Sequence, residues 1–184
     1  MKPSEATYKH MEGNSSFWYQ KSVSLYASAS LIWDGMNSPK EREFIKGLGL
    51  KSEFSVELGC LDNYLMVFGL SYEVMLKAIC IRKISSFPKS HKIHELAKHA
   101  KITLNEGEVL LLSILSEFVI WEGRYPIPKN HEVMMKHWDA TRNALWEEDK
   151  IIGGKFRTDV FEYYRLKNLW LKLSDVYFDL QESE

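Results

Sequence analysis

The stretch Asn63–Ile81 constrains this chain more than any other, because it approaches the length and apolarity of a membrane span yet carries Glu73 and Lys77 in its middle. Each charge would be costly in hydrocarbon. The two are spaced i,i+4, with the carboxylate N-terminal to the ammonium, so on a helix they meet on one face. A helix buried in a protein core, with its two charges offsetting one another's desolvation, satisfies both observations. No membrane association is expected.

A buried helix needs neighbours, and 184 residues that are 45% hydrophobic and 13% aromatic suffice for one core rather than two. A single domain over 1–184 is expected, with 1–14 a flexible or loosely packed polar leader. Apolar positions recur with a helical period, and only five prolines and ten glycines punctuate them. Nothing reads as a sheet. Trp18, Leu25 and Ile32 repeat every seven residues beside Tyr19, Tyr26 and Trp33, which predicts a helix from about Ser16 to Asp34-Gly35. Ser38-Pro39-Lys40-Glu41 reads as a capping box with proline at the first helical position, opening a short helix to about Lys46.

The core helix is predicted from about Leu61 to Lys83, and Phe87-Pro88-Lys89-Ser90 separates it from a short segment, Ile93–His99. Asn105 and Glu108 can cap a helix to about Trp121, which the loop Gly123–Pro128 must end. A helix His131–Glu148, a break at Ile151–Gly154 and a last helix opened by Asp159–Glu162 complete the chain. Phe161, Tyr164, Leu169, Leu173, Val176 and Leu180 form the apolar stripe of that last helix. The expected fold class is all-α: an irregular up-and-down bundle of about five long helices plus short ones, with neighbours antiparallel.

With 24 basic and 25 acidic residues, the net charge of -1 excludes a uniformly basic nucleic-acid coat, so any polyanion contact must be local. The window Arg82–Lys101 is such a patch: it holds Arg82, Lys83, Lys89, Lys92, Lys98, Lys101, His91, His94 and His99, with Glu95 its only acid. It can hold phosphate, or be a solvated face. His91 and His94 share metal-ligand spacing but lack a third ligand nearby. Cys60 and Cys80 lie in apolar surroundings and can supply neither a disulfide framework nor a zinc set, which suits a reducing cytoplasm. No metal or cofactor is expected, and no Walker loop, dinucleotide fingerprint or nucleophile elbow is present.

Arg124 and His131 flank Tyr125-Pro126-Ile127-Pro128-Lys129-Asn130, a loop that ends at a predicted helix N-terminus. A guanidinium can hold a phosphate bidentately, an imidazole can move a proton to or from a ribose hydroxyl, and a helix N-terminus favours anions. Arg124 can equally pin the proline loop or satisfy Glu73. Arg142-Asn143 is a second arginine candidate, with His137 five residues earlier and Glu147 after it.

Glu73-Val74-Met75-Leu76-Lys77-Ala78, His94-Glu95-Leu96-Ala97 and Gly123-Arg124-Tyr125-Pro126, in this order and spacing over about Leu61–Pro128, resemble the HEPN (higher eukaryotes and prokaryotes nucleotide-binding) domains. The resemblance implies a helical up-and-down core, a homodimer, and a link to RNA, nucleotides or a toxin–antitoxin or phage-defence system with a cognate antitoxin or defence protein as partner. Many catalytic members cleave RNA without metal through an arginine and a histidine four to six residues apart. Arg124-x6-His131 is the forward match here, whereas Glu147 stands where the commoner form after Arg142-Asn143 has its histidine. Two functions follow as expectations. In the first, the chain is an endoribonuclease or toxin-like effector in which Arg124 and His131 are catalytic and Lys89, Lys92 and Lys98 hold the RNA backbone. In the second, it is a non-catalytic dimeric interaction or nucleotide-binding module, with Arg124 sequestered by Glu73. In both, Glu73 and Lys77 form a structural polar network.

Overall fold

The core helix anticipated from the charge pair is the longest element of the structure, a computed structural model that describes residues 3–51, 53–149 and 154–182. This helix, α4 (Val56–Ile84), has Tyr64, Leu65, Phe68, Tyr72, Met75, Leu76 and Ile79 fully buried. It is long and apolar enough to cross a membrane, but 78% of its most apolar window is buried inside the protein. Its neighbours in chain order are α1 (Pro3–Gly13), α2 (Ser15–Met36), α3 (Glu41–Gly47), α5 (Ile93–His99), α6 (Glu106–Glu117), α7 (His131–Leu145) and α8 (Tyr163–Glu182). The chain is an all-α helical bundle.

Helix α2 runs antiparallel to α4, as three contacts along the pair establish. Trp18 lies near Lys77, the Ser22 hydroxyl donates to the Ser71 carbonyl at 2.8 Å, and the Trp33 ring is 5.3 Å from that of Tyr64. Helix α8 runs with α4 instead: Tyr72 donates its hydroxyl to the Leu166 carbonyl, and Arg82 stacks 4.1 Å from the Tyr177 ring. The aromatic heptad of α2 thereby faces α8 as well, with Tyr26 stacked on Trp170 and Tyr19 on Tyr177, each at 4.4 Å. Aromatic pairs at these separations add to the area they bury. On the last helix's predicted stripe, Leu169 and Leu173 are buried but Tyr164 is 48% exposed.

Helix α6 packs antiparallel to α4 at a distance set by glycine. A Cβ at Gly69 would stand 2.7 Å from Val119 Cγ2 and 3.1 Å from the Leu115 carbonyl oxygen. One at Gly123 would overlap Met66. These close approaches bring the segment after α6 down onto the first half of α4.

The leader, expected to be flexible or loosely packed, forms α1, which has no buried residue and is tied on by the Trp18 indole N–H donating to the Glu12 carbonyl at 3.0 Å. Several local expectations are corrected. Ser38 and Glu41 form no capping box, because α3 starts at Glu41 with no side-chain cap. Glu41 instead accepts from the Val56 N–H at 2.8 Å, and Ser55 accepts from the Leu58 N–H at 3.3 Å, so α4 begins earlier than Leu61. Satisfying these free N–H groups supports the extra turn.

Helix α7 stops at Leu145, short of Glu148, and a hairpin follows where none was expected: β1 (Trp146–Asp149) pairs antiparallel with β2 (Gly154–Arg157) from Trp146↔Arg157 to Asp149↔Gly154. The reason is long-range. Thr158 donates its N–H to the Leu145 carbonyl at 2.8 Å and its hydroxyl to the Ala144 carbonyl at 2.6 Å, taking acceptors that further helix would use. The predicted break at Ile151–Gly154 lies largely outside the described residues, and α8 opens at Tyr163 rather than at Asp159. By contrast, the Asn105–Glu108 capping box of α6 is formed in both directions, at 2.8 and 2.9 Å.

Glu73 and Lys77 are 3% and 8% exposed and are joined at 2.6 Å. Replacing Glu73 with alanine leaves a buried ammonium without its carboxylate and is expected to cost about 3–5 kcal/mol, read from urea denaturation. Replacing both, Glu73→Leu with Lys77→Met, is expected to recover most of that loss. A double variant as unstable as the single one would contradict this account.

Candidate functional site

The basic window sits around the C-terminal half of α4. The Glu73 carboxylate there accepts from Lys77 and faces His91 Nδ1 with both oxygens, at 3.1 and 3.0 Å. The Lys77 ammonium also lies 5.4 Å from the Phe87 ring. This knot ties the loop between α4 and α5 to the core. It also leaves Glu73 no role toward Arg124, so the expected sequestration of Arg124 by Glu73 does not occur. Lys89 and Lys98 are exposed with no ion pair among the described residues, and Lys92 pairs with Glu95 at 3.2 Å.

The more organised site lies at the other end of α4. There α6 widens into a π turn, Phe118–Glu122, in which the Gly123 N–H reaches back five residues to the Phe118 carbonyl at 3.0 Å. Such turns displace the residues that follow and recur at functional sites. The Arg124 and Tyr125 N–H groups both donate to the Trp121 carbonyl, at 2.9 and 2.8 Å, folding the loop over the start of α4. A cleft of about 280 Å³ results, lined by Asp62, Asn63, Trp121, Glu122, Arg124 and Trp138 among others.

Arg124 is exposed on this cleft. Its guanidinium donates to the Ile120 carbonyl and lies 5.5 Å from the Tyr125 ring, with no acidic partner among the described residues. Tyr125 and Trp138 are 57% and 47% exposed. Tyr125 also lines a neighbouring apolar groove of about 580 Å³ that runs past Ile127 and Pro128 to Val133.

Behind the cleft wall, buried His137 directs Nε2 at the Glu122 carboxylate and has the Thr141 hydroxyl 3.4 Å away. The rings of Phe118 and Trp121 meet the imidazole edge-on at 5.3 and 5.6 Å. Since Nε2 faces a carboxylate it is the N–H that donates, and Nδ1 is buried without a partner. Glu122 is thereby held in place. Asp62, across the cleft, is exposed and forms no hydrogen bond with the described residues; partial burial and the Glu122 carboxylate raise its carboxyl above the usual range, and His137 opposes this.

His131 is the first residue of α7, exposed, and does not line the cleft that holds Arg124. Lys89, Lys92 and Lys98 are likewise distant: Ile93 packs at the level of Gly69, about 10 Å of helical rise from Asp62. Asp62, Glu122 and Trp138 carry no motif in the sequence, where His137 stands near only Arg142 as a candidate partner. A signal for His137 was available, because Met134, His137, Thr141 and Ala144 form the inward stripe of α7 at i+3 and i+4 steps. Arg142 is on the opposite, exposed face, paired with Asp139 at 3.2 Å. Glu147 lines a separate cleft of about 540 Å³ whose cations are already matched, Lys172 by Glu108 and Arg165 by Asp159. No cluster arranged to hold a metal ion occurs among the described residues.

Fold and site together define an all-α bundle with a polar and aromatic cleft at one end of its core helix. No family model matches the chain, and no curated protein or solved structure does either.

The raised carboxyl of Asp62 has a measurable consequence. A carboxyl raised in the folded state favours folding below its unfolded value, and that contribution is lost as pH rises through the folded value. Asp62→Asn is therefore expected to be more stable than the parent at pH 7, with the difference vanishing on acidification through the carboxylate range. Urea midpoints of both proteins across pH check this, and a constant difference would contradict it.

Proposed function

We propose that this chain is a HEPN-like helical protein that binds a nucleotide, or a nucleotide of single-stranded RNA, in the Arg124 cleft. The single observation that carries the reading is the convergence, in one cleft, of a guanidinium without an acidic partner, two exposed aromatic rings and a carboxylate without a hydrogen bond. These are the three contacts a nucleotide offers to make. A phosphate takes a charge-assisted hydrogen bond, a base stacks on an aromatic face, and hydroxyl or amino groups donate to a carboxylate. The apolar groove that shares Trp121, Tyr125 and Pro126 with the cleft offers a place for a flanking base. The HEPN resemblance over about Leu61–Pro128 supports the same ligand class and extends the proposal to a cytoplasmic homodimer.

RNA cleavage is the second reading, favoured by the position of His131 at the N-terminus of α7, on the same loop as Arg124. In it Arg124 holds the scissile phosphate and His131 moves a proton to or from the ribose 2'-hydroxyl. Because His131 does not line the cleft, this reading requires the loop or a second copy to bring the two together. Lys89, Lys92 and Lys98 would then contact a longer strand lying along the bundle.

Fluorescence titration with nucleoside monophosphates and short single-stranded RNA tests binding directly. Arg124→Ala is expected to weaken binding by about tenfold or more, from a lost charge-assisted bond of ~1.5–3 kcal/mol. Trp138→Ala is expected to cost ~1–3 kcal/mol of stacking. Absence of binding to every nucleotide and RNA would end the reading. Metal-free RNA cleavage that is abolished by His131→Ala would promote the second reading over the first.

A further inference from the structure

We propose that the cleft selects guanine, with the Asp62 carboxylate accepting from the base's N1–H and 2-amino group while Arg124 holds the phosphate. This inference rests on the nucleotide-binding reading and sharpens it to one base. Glu122 already receives the His137 Nε2–H, whereas both oxygens of Asp62 are without a hydrogen bond among the described residues. A free carboxylate is an acceptor-only group with two parallel oxygens, so it is best satisfied by two adjacent donors.

Guanine is the base that presents such a pair on its Watson–Crick edge. Adenine sets its amino donor beside the N1 acceptor, cytosine sets its amino donor beside N3, and uracil flanks its single N3–H with two carbonyls. For those three, a second carboxylate oxygen would face an acceptor. Unstacked bases read on these edges are commonly held against aromatic side chains, and Tyr125 and Trp138 are the exposed rings here.

Charge and space narrow the choice further. A ligand guanidinium or ammonium would also satisfy Asp62, but it would meet the like charge of Arg124 in the same cleft. At about 280 Å³ the cleft is at the small end of ligand sites and suits one nucleoside rather than a duplex.

The test is a set of equilibrium titrations of the full chain with GMP, IMP, AMP, CMP and UMP, followed by intrinsic tryptophan fluorescence. GMP is expected to bind roughly tenfold or more tightly than AMP, CMP and UMP. IMP, which keeps N1–H and O6 but lacks the 2-amino group, is expected to fall between. Asp62→Asn and Asp62→Ala are expected to collapse the GMP-to-AMP affinity ratio to near one, with circular dichroism confirming that both fold. Binding of all five nucleotides with equal affinity would overturn the guanine assignment and leave the nucleotide reading standing. A GMP preference that survives both Asp62 substitutions would overturn the role of Asp62. No binding to any of them would end both.

Discussion

Everything in this structure depends on burying a carboxylate and an ammonium one turn apart on α4. Each ion alone would oppose the burial of the helix's largely apolar middle, and together they let it occupy the centre of the bundle. The pair is not left bare: His91 adds a third polar partner, and the Phe87 ring covers the ammonium. With the charges satisfied, α2, α6 and α8 can all pack against α4, and its length sets the length of the bundle. The same knot fixes the loop after α4 through His91, while Lys89 and Lys92 stay on the surface.

At the far end of α4, packing rather than charge shapes the site. Glycines at 69 and 123 let α6 and its continuation lie almost in contact with the α4 backbone. The π turn that follows α6 displaces Trp121 and Glu122, so that Glu122 meets His137 while Trp121 covers the imidazole. Arg124 is then carried over the opening of the cleft by two hydrogen bonds to one carbonyl. Rigid packing below and an open, polar rim above is a common arrangement for a small-ligand site.

Much of the fold was legible in the residues, because amphipathic period and capping chemistry are local. The capping box of α6, the span of α5 and the aromatic face of α2 could all be read from neighbouring positions. The misread boundaries share one cause, a partner distant in sequence: Glu41 caps α4 rather than its own helix, and Thr158 ends α7. The site divides in the same way. Arg124 was visible as chemistry on a loop, but its companions Asp62 and His137 come from two other helices, and no spacing rule links them.

By itself the sequence determined that the chain is helical, that its central segment is buried, and that Glu73 and Lys77 answer one another, since each follows from period and charge within a few turns. Only the tertiary structure decided which residues stand beside Arg124. Antiparallel packing of α6 on α4 brings Asp62 to Glu122 across a gap of 60 positions, while His131, near in sequence, falls off the cleft wall. Proximity in a bundle is set by which helix faces meet, and that is a property of the whole core rather than of any segment.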